Sequence, residues 1–360
     1  KYLDTYPVTA RSLAQHYRID GNSLERAYKN ILSGYTDWEQ KDHAEKWVLL
    51  PENMGKHLSI DETLLHEDLR TFLTNKDGHG KHGTLIASVS GTKASDVIEI
   101  LMKLPEKKRL EVEEVTMDFS DSMYAIVSAV FPNAMITIDC FHIIKRCTEA
   151  VEEIRLKAKR EAIKAQKKEK AEFKKKLEKR IKQRKYYRKR HPKTYKGRKR
   201  GRKPMRLNQS FKPEELANGD TKVELLTRSR YLLLQSGDKW SEKQQKRADL
   251  LFGLHPKIKE AYSLLCSLRS VFKDKKLDRE SGKVKLHEWY QKVNDSTLRE
   301  IKAARDLIKL KENEVLNYFV NRSTNAAAES LNSKMKGFRS QIRGVQDVPF
   351  FMFRVAKIFG

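Results

Sequence analysis

Three aspartates stand directly behind short apolar runs: Asp61 after Leu58-Ser-Ile60, Asp118 after Val115-Thr-Met117, and Asp139 after Ile136-Thr-Ile138. A carboxylate just past an apolar strand lies at the edge of a sheet, where it can converge with neighbours across the strands. Converging carboxylates repel one another unless a cation sits between them, and oxygen-only ligands favour Mg2+ or Mn2+ over zinc. Two such ions stabilise both the attacking and the leaving oxygen of a phosphodiester displacement. For one Asp in this position, capping of the following turn or helix is the plainer reading. Three within one small α/β stretch of a strongly basic chain favour the metal.

The elements that must position these acids are legible from periodicity. Residues 57–142 predict strands at Leu58–Glu62, Leu69–Thr74 and Thr84–Val89, a helix over Ala94–Leu104, a strand over Val112–Met117, a helix over Ser122–Phe131 and a strand over Met135–Ile138. The result is a mixed five-stranded α/β sheet. A helix then starts near Phe141, and from Glu224 to about Val320 the apolar periods are helical throughout. Near the N-terminus, Thr9 to Tyr28 reads as two short helices around a tight turn, with helix-turn-helix spacing, although Arg18 stands where Gly is often found. Leu13, Ala14, Tyr17, Ile19, Leu24 and Ala27 would form its shared core, and Ser23 would help to cap the second helix. A generic helical hairpin fits the same pattern.

Charge is distributed unevenly. The 360 residues carry 75 Lys or Arg and 48 Asp or Glu, a formal net charge of +27. Residues 157–206 alone hold 26 of the basic residues against four Glu, so +22 belongs to this segment and only +5 to the rest. Its first part, Val151 to Ile181, has a narrow apolar stripe at helical spacing. Its second, Lys182 to Pro204, interleaves Tyr186, Tyr187 and Tyr195 with basic residues and should order only on a phosphate backbone. Lys199-Arg-Gly-Arg-Lys-Pro204 resembles an AT-hook peptide, with Lys203 interrupting the usual Arg-Pro junction. A solvated charge run is the alternative. Such a surplus points to a polyanion, nucleic acid before an anionic membrane. No apolar run approaches the roughly 18 residues of a transmembrane helix. The three cysteines fit a reducing compartment, and a chain opening on Lys1 without an apolar leader reads as truncated and cytoplasmic.

Taken together, Ile60-Asp61-Glu62, Thr116-Met-Asp118-Phe-Ser-Asp121-Ser-Met-Tyr124, Phe131-Pro-Asn-Ala134 and Ile138-Asp139-Cys-Phe-His142 resemble bacterial insertion-sequence transposases of the DDE class, in the ISL-three group. Asn325-Ala-Ala-Ala-Glu329-Ser-Leu-Asn332-Ser-Lys334-Met-Lys336-Gly-Phe338 is similar to that group's Asn…Glu-x-x-Asn-x-x-x-Lys helix, and the resemblance covers nearly all of residues 9–360. It implies a ribonuclease H-like core interrupted after its fifth strand by a long all-α insertion. The implied layout is a helix-turn-helix region and linker at 1–50, the core at 51–144, the insertion at 145–320 and a C-terminal helical part of the core at 321–360.

The same resemblance implies a triad, Asp61, Asp118 and Glu329, holding two Mg2+ or Mn2+ ions. Asp121 is the runner-up for the second acid, although it looks more like a helix N-cap. Asp139 and His142 match an Asp-x-x-His motif of similar families, one turn apart, and would orient metal, water or DNA; a capping Asp and a buried His satisfied by backbone is the alternative. Asn325 and Asn332 share a helix face with Glu329. Lys334 and Lys336 would contact DNA phosphates, as would Arg188, Lys189, Arg190, Arg198, Lys199, Arg200, Arg202 and Lys203 in the basic segment and Arg26 and Lys29 near the N-terminus. His79 and His82 read as a solvated hairpin tip, Cys140 and Cys147 as packing residues.

The implied activity is metal-dependent cleavage of transposon-end DNA followed by strand transfer of the 3′-hydroxyl into target DNA. The partners are double-stranded DNA, as terminal inverted repeats and target, and a second copy of the chain, with no membrane. A catalytically silent DNA-binding protein of the same descent and a ribonuclease H-like structure-selective nuclease are the rival readings. Deletion of residues 157–206 is expected to weaken DNA binding and to flatten the slope of log affinity against log salt; undiminished affinity would reduce the charge run to a solvated surface.

Overall fold

The computed structural model describes residues 1–65, 68–191, 210–342, 345 and 347–360. They fall into two compact units. One comprises Lys1–Lys145, Val271–His287 and Leu307–Gly360; the other comprises Arg146–Ser270 and Glu288–Asp306.

The first unit is built on a mixed sheet. Its strands are β1 (Trp47–Leu49), β2 (His57–Leu65), β3 (Asp68–Asn75), β4 (Leu85–Ser90), β5 (Glu114–Met117) and β6 (Met135–Ile138). They lie in the order β1-β4-β3-β2-β5-β6. The β1–β4, β4–β3 and β3–β2 pairs are antiparallel, and the β2–β5 and β5–β6 pairs are parallel. The sheet thus has six strands rather than the expected five. Trp47-Val-Leu49 is too short for a period-2 signal, and it becomes a strand by pairing Val48 with Ser88 on the edge of β4. Strand β2 also runs four residues beyond Asp61, because its hairpin partner β3 continues while its pairing with β5 stops at Ser59.

Period-2 alternation divides the sheet into two faces. Leu58 and Ile60, Val115 and Met117, and Ile138 are fully buried on one of them. Helices Ala94–Leu101 and Asp121–Val130, which pack together, supply Val97, Leu101, Ile126, Val127 and Val130 to this layer. The other face carries Phe72 and Leu65. These join Leu331, Met335 and Phe338 of the helix Ala326–Gln341 and Phe351, Met352 and Val355 of the helix Val348–Phe359 in one core cluster.

The N-terminal helices, Ala10–Tyr17 and Gly21–Ala27, are capped by Thr9, which accepts from Ser12 N at 2.9 Å, and by Asp20, which accepts from Ser23 N at 2.7 Å. The capping side chain of the second helix is therefore Asp20, with Ser23 as the donor. Arg18 closes the first helix in the left-handed region at φ 58°, the conformation that makes glycine common at this point of the turn. The expected shared core needs correction: Tyr17 and Ile19 are exposed. Leu3, Ala10 and Tyr28 instead form the cluster, with Leu13, Leu24 and Phe350 against it. Phe350 of the C-terminal helix packs against this cluster, its ring centroid 6.2 Å from that of Tyr28.

Buried Arg354 of that helix ties the N-terminal segment down. Its Nη2 donates to Tyr6 O at 3.3 Å and to Val8 O at 3.1 Å, and its guanidinium lies over the Tyr28 and Phe338 rings. Lys357 pairs with Asp4 at 2.8 Å, and Lys29 pairs with Asp347.

The second unit is helical among the described residues. Val151 and Ile154 of the long helix Cys140–Arg190 are buried, as are Leu225, Leu226, Leu251, Leu265, Leu268, Trp289 and Ile301. Capping boxes at Thr221/Glu224 and Ser241/Gln244 start two of its helices. The long helix continues unbroken to Arg190, so Lys182–Arg190 extends the helix of the first part of the basic segment. Lys, Arg and Gln are good helix formers, and the preceding turns remove the cost of nucleation. Arg198, Lys199, Arg200, Arg202 and Lys203, with the AT-hook-like stretch, lie outside the described residues.

Replacing Arg354 with Met removes the side-chain donor from the Val8 carbonyl and from the Tyr6 carbonyl, which then keeps only Val8 N at 2.8 Å. Limited proteolysis of Arg354→Met is expected to cut the first 34 residues at least severalfold faster than in the parent while the sheet core stays resistant. Equal cleavage rates would show that the N-terminal helices are held by other contacts.

Candidate metal centre

Strand register brings the acids together. Strands β2 and β5 pair in parallel with Ser59 opposite Thr116, and β5 and β6 with Met117 opposite Ile138. Continuing these registers places Asp61, Asp118 and Asp139 abreast on three adjacent strand lines, on one face and roughly 5 Å apart from line to line. Asp139 N donates to Met117 O at 3.0 Å, extending the β5–β6 ladder to that row.

The helix Ala326–Gln341 crosses the same face and adds Glu329, Asn325 at its N-terminus and Asn332. Asn325 Nδ2 donates to Asp118 Oδ1 at 3.0 Å, and Asn332 Nδ2 donates to Asp61 Oδ2 at 2.5 Å. Asn325 N donates to Asp139 Oδ2 at 3.3 Å, while Asp139 Oδ1 accepts from Phe141 N at 3.1 Å. Asp139 thus caps the helix it precedes and also faces the site. His142, just inside that helix, places Nε2 2.9 Å from Asp118 Oδ1. Ligand atoms of Asp139, His142 and Glu329 all lie within 4.8 Å of one another.

Four carboxylates and one imidazole therefore share the site, a wider set than three acids. Asp139 and His142 stand inside the convergence rather than behind it. Asp121 stands outside: it is exposed, pairs with Lys311 at 2.8 Å, and leaves the capping of its helix to Ser120.

The electrostatics match this crowding. Burial, and then the nearby Asp118 charge, raise Asp61 to about 6, with Glu329 adding to the rise. Glu62 is also raised, by burial and by Asp118. Burial pulls His142 down, but the hydrogen bond to Asp118 and the charges of Asp118 and Asp139 outweigh it, so the imidazole is held above its usual value. The Asn325 and Asn332 side chains are buried, and the Oδ1 atom of each has no hydrogen-bond partner. Oxygen-rich ligands, mutually repelling carboxylates and two orphaned amide oxygens fit a hard divalent cation.

The other predicted residues are spread more widely. Lys334 donates from Nζ to Gly80 O at 2.5 Å, tying the β3–β4 loop to the Glu329 helix, whereas Lys336 is exposed. That loop comes so close that a Cβ on Gly80, at φ +73°, would lie 2.6 Å from Ser330 Oγ. His79 and His82 are exposed on it, as a hairpin tip should be. Arg26 is exposed, but Lys29 is engaged by Asp347. Arg188, Lys189 and Arg190 are exposed in the last turn of the long helix, where the Arg190 guanidinium lies 4.8 Å from the Tyr186 ring centroid. Burial pushes the thiols of Cys140 and Cys147 up to about 11 and about 12, consistent with packing roles.

One group escaped the sequence reading. Glu114, Lys76 and Ser323 form a buried polar row beneath the acids; the available signal was a Glu four residues before Asp118, on the same face of the strand by period 2.

Comparison with protein families matches residues 58–355 to the model DDE_Tnp_ISL3, described as a transposase. No curated protein and no solved structure matches the chain.

Because the folded state raises Asp61 above its ordinary 3.8, the metal-free protein binds more protons than the unfolded chain between about 4 and about 6. Stability is therefore lost as pH rises through that window and levels off above it. Relative to the parent, metal-free Asp61→Asn should gain ~1–2 kcal/mol above pH 6, after allowance for solvent screening, and little at pH 4. Denaturant titrations at the two pH values measure this, and a gain of equal size at both would exclude charge crowding as its source.

Proposed function

The chain belongs to the ISL3-group DDE transposase family, and on that premise we propose that it cuts transposon-end DNA and joins the freed 3′-hydroxyl to target DNA at the Asp61–Asp118–Glu329 site. The observation that carries this reading is the row of Asp61, Asp118 and Asp139 with Glu329 of the crossing helix brought against it. Three antiparallel pairings followed by two parallel ones, with acids at the end of the parallel pairing, support a ribonuclease H-like core.

Asp61, Asp118 and Glu329 would hold two Mg2+ or Mn2+ ions, with Asp139 and His142 as neighbouring donors. When bound, such ions stabilise charge on the attacking and leaving oxygens of a phosphodiester. The chain's own groups prepare the site. Asn332 and Asn325 fix the rotamers of Asp61 and Asp118 through one amide hydrogen bond each. His142 holds the Asp118 oxygen it faces, with Nε2 at 2.9 Å. Lys336 offers its charge to a DNA phosphate from the helix that carries Glu329. Water attacks in the first step and a DNA 3′-hydroxyl in the second, so no covalent bond to the protein is needed.

The two N-terminal helices, with Arg26 exposed, form a helix-turn-helix reader of the element end. The basic turns around Arg188, Lys189 and Arg190 grip phosphate backbone, with the remaining charge of 192–206 adding to them. Two copies of the chain act on two DNA ends. Among the described residues no helix is long and apolar enough to cross a membrane.

Asp61→Ala and Glu329→Ala should each lower Mg2+-dependent cleavage of labelled element-end DNA at least a thousandfold while changing DNA affinity less than about threefold. Retained cleavage in either variant would remove that residue from the catalytic set. Nicks without strand-transfer products from the parent would favour a nuclease.

A further inference from the structure

Glu114 is a carboxylate in a place where carboxylates are rarely found. It sits in β5 at 1% exposure, on the same face as Asp118 and two residue pairs below it. Burying such a charge is unfavourable unless both oxygens are satisfied and a counter-charge is at hand. Both conditions are met. Oε1 accepts from Thr137 Oγ1 of β6 at 2.7 Å; Oε2 accepts from Ser323 Oγ at 2.6 Å and from Asn321 Nδ2 at 3.4 Å. Lys76, half-buried at the end of β3, has its Nζ 4.0 Å from Oε2 and donates to Thr116 Oγ1 at 2.8 Å.

These partners span a long separation in sequence. Thr116 and Thr137 belong to the strands that carry Asp118 and Asp139; Ser323 and Asn321 belong to the segment that returns some 190 residues later. Arg322 between them is in the left-handed region at φ 52°, and its guanidinium donates to Asp274 O and Leu277 O. Two residues beyond Ser323 the chain reaches Asn325, which contacts both Asp118 and Asp139, and one helical turn further it reaches Glu329. Two residues span at most about 7 Å, so a shift at Ser323 is passed to Asn325 with little slack.

We propose that Glu114 is a positioning residue for the carboxylate site, latching the 321–325 segment onto β5 and β6 so that Asn325 and Glu329 meet the aspartates, with Lys76 as its counter-charge. The latch rests on the reading of the site as a metal centre. It touches neither DNA nor metal. Its effect is on how well the ligands are arranged before a cation arrives, the kind of support whose loss typically weakens metal affinity about 10–100-fold.

Calorimetric titration of the full chain with Mn2+ tests this, alongside the half-saturating Mg2+ concentration for cleavage. Ser323→Ala and Glu114→Gln should each weaken Mn2+ binding tenfold or more and raise half-saturating Mg2+ by a similar factor. End-DNA affinity should stay unchanged, and Ser323→Thr should restore parental values. A lower melting temperature with parental Mn2+ affinity would reduce the group to a fold-stabilising contact and overturn the proposal. If Glu114→Gln does not fold, Ser323→Ala, which removes one hydroxyl, decides the matter. Asp61→Ala separates the premises. If the parent binds no Mn2+, or Asp61→Ala binds it equally well, the metal-centre reading fails. If Asp61→Ala loses binding while Ser323→Ala keeps it, the latch alone fails.

Discussion

Mutual repulsion among carboxylates is the constraint around which the sheet unit is organised. Asp61, Asp118, Asp139 and Glu329 are held close together, and burial with the nearby charges of Asp118 and Glu329 raises Asp61 to about 6. An unsupported chain would relieve that crowding by moving apart. Here it is opposed by parallel pairing of β2, β5 and β6, which sets the aspartates abreast, and by a fully buried apolar layer on the opposite face. Close packing on one side of the sheet makes a polar, strained arrangement tolerable on the other.

Polar side chains complete the support in two tiers. Near the acids, the neutral amides of Asn325 and Asn332 donate to Asp118 and Asp61 without neutralising them, and His142 faces Asp118. Below, Glu114 with Thr137, Ser323 and Lys76 joins strands to the returning segment. The distinction matters energetically. The upper tier leaves two amide oxygens unsatisfied, whereas in the lower tier both carboxylate oxygens of Glu114 are satisfied. A site awaiting a ligand and a structural network differ in this way.

The same economy applies to positive charge. Most of the chain's +27 lies in residues 157–206, and the unit that bears the acids is close to balanced. Basic residues near the site are largely engaged: Lys334 by the Gly80 carbonyl, Lys76 by Thr116 and Lys311 by Asp121. A carboxylate cluster flanked by many free lysines would be neutralised by them and would lose its affinity for a divalent cation.

Much of this was legible in the sequence, and for definable reasons. Each aspartate follows an apolar run of period 2, so the face it occupies is a local property, as is the place of Asp118 and Asp139 just past a strand end, whereas β2 continues four residues beyond Asp61; the helical pattern carrying Glu329 and the segregation of charge are local too. Local pattern was a poor guide wherever a distant residue supplied the partner. Trp47–Leu49 is a strand because β4 offers an edge, and the N-terminal cluster is built from Leu3, Ala10 and Tyr28 with Phe350 of the C-terminal helix against it, while Tyr17 is exposed. Lys182–Arg190 stays helical because earlier turns nucleate it. The register that puts Asp61 level with Asp118 and Asp139, the inclusion of Asp139 and His142 with Glu329, and the pairing of Glu114 with Ser323 across 209 positions were decided only by tertiary structure. Periodicity tells which face a side chain occupies, but which other side chain it meets depends on strand register and helix packing, and these are set by the whole core at once.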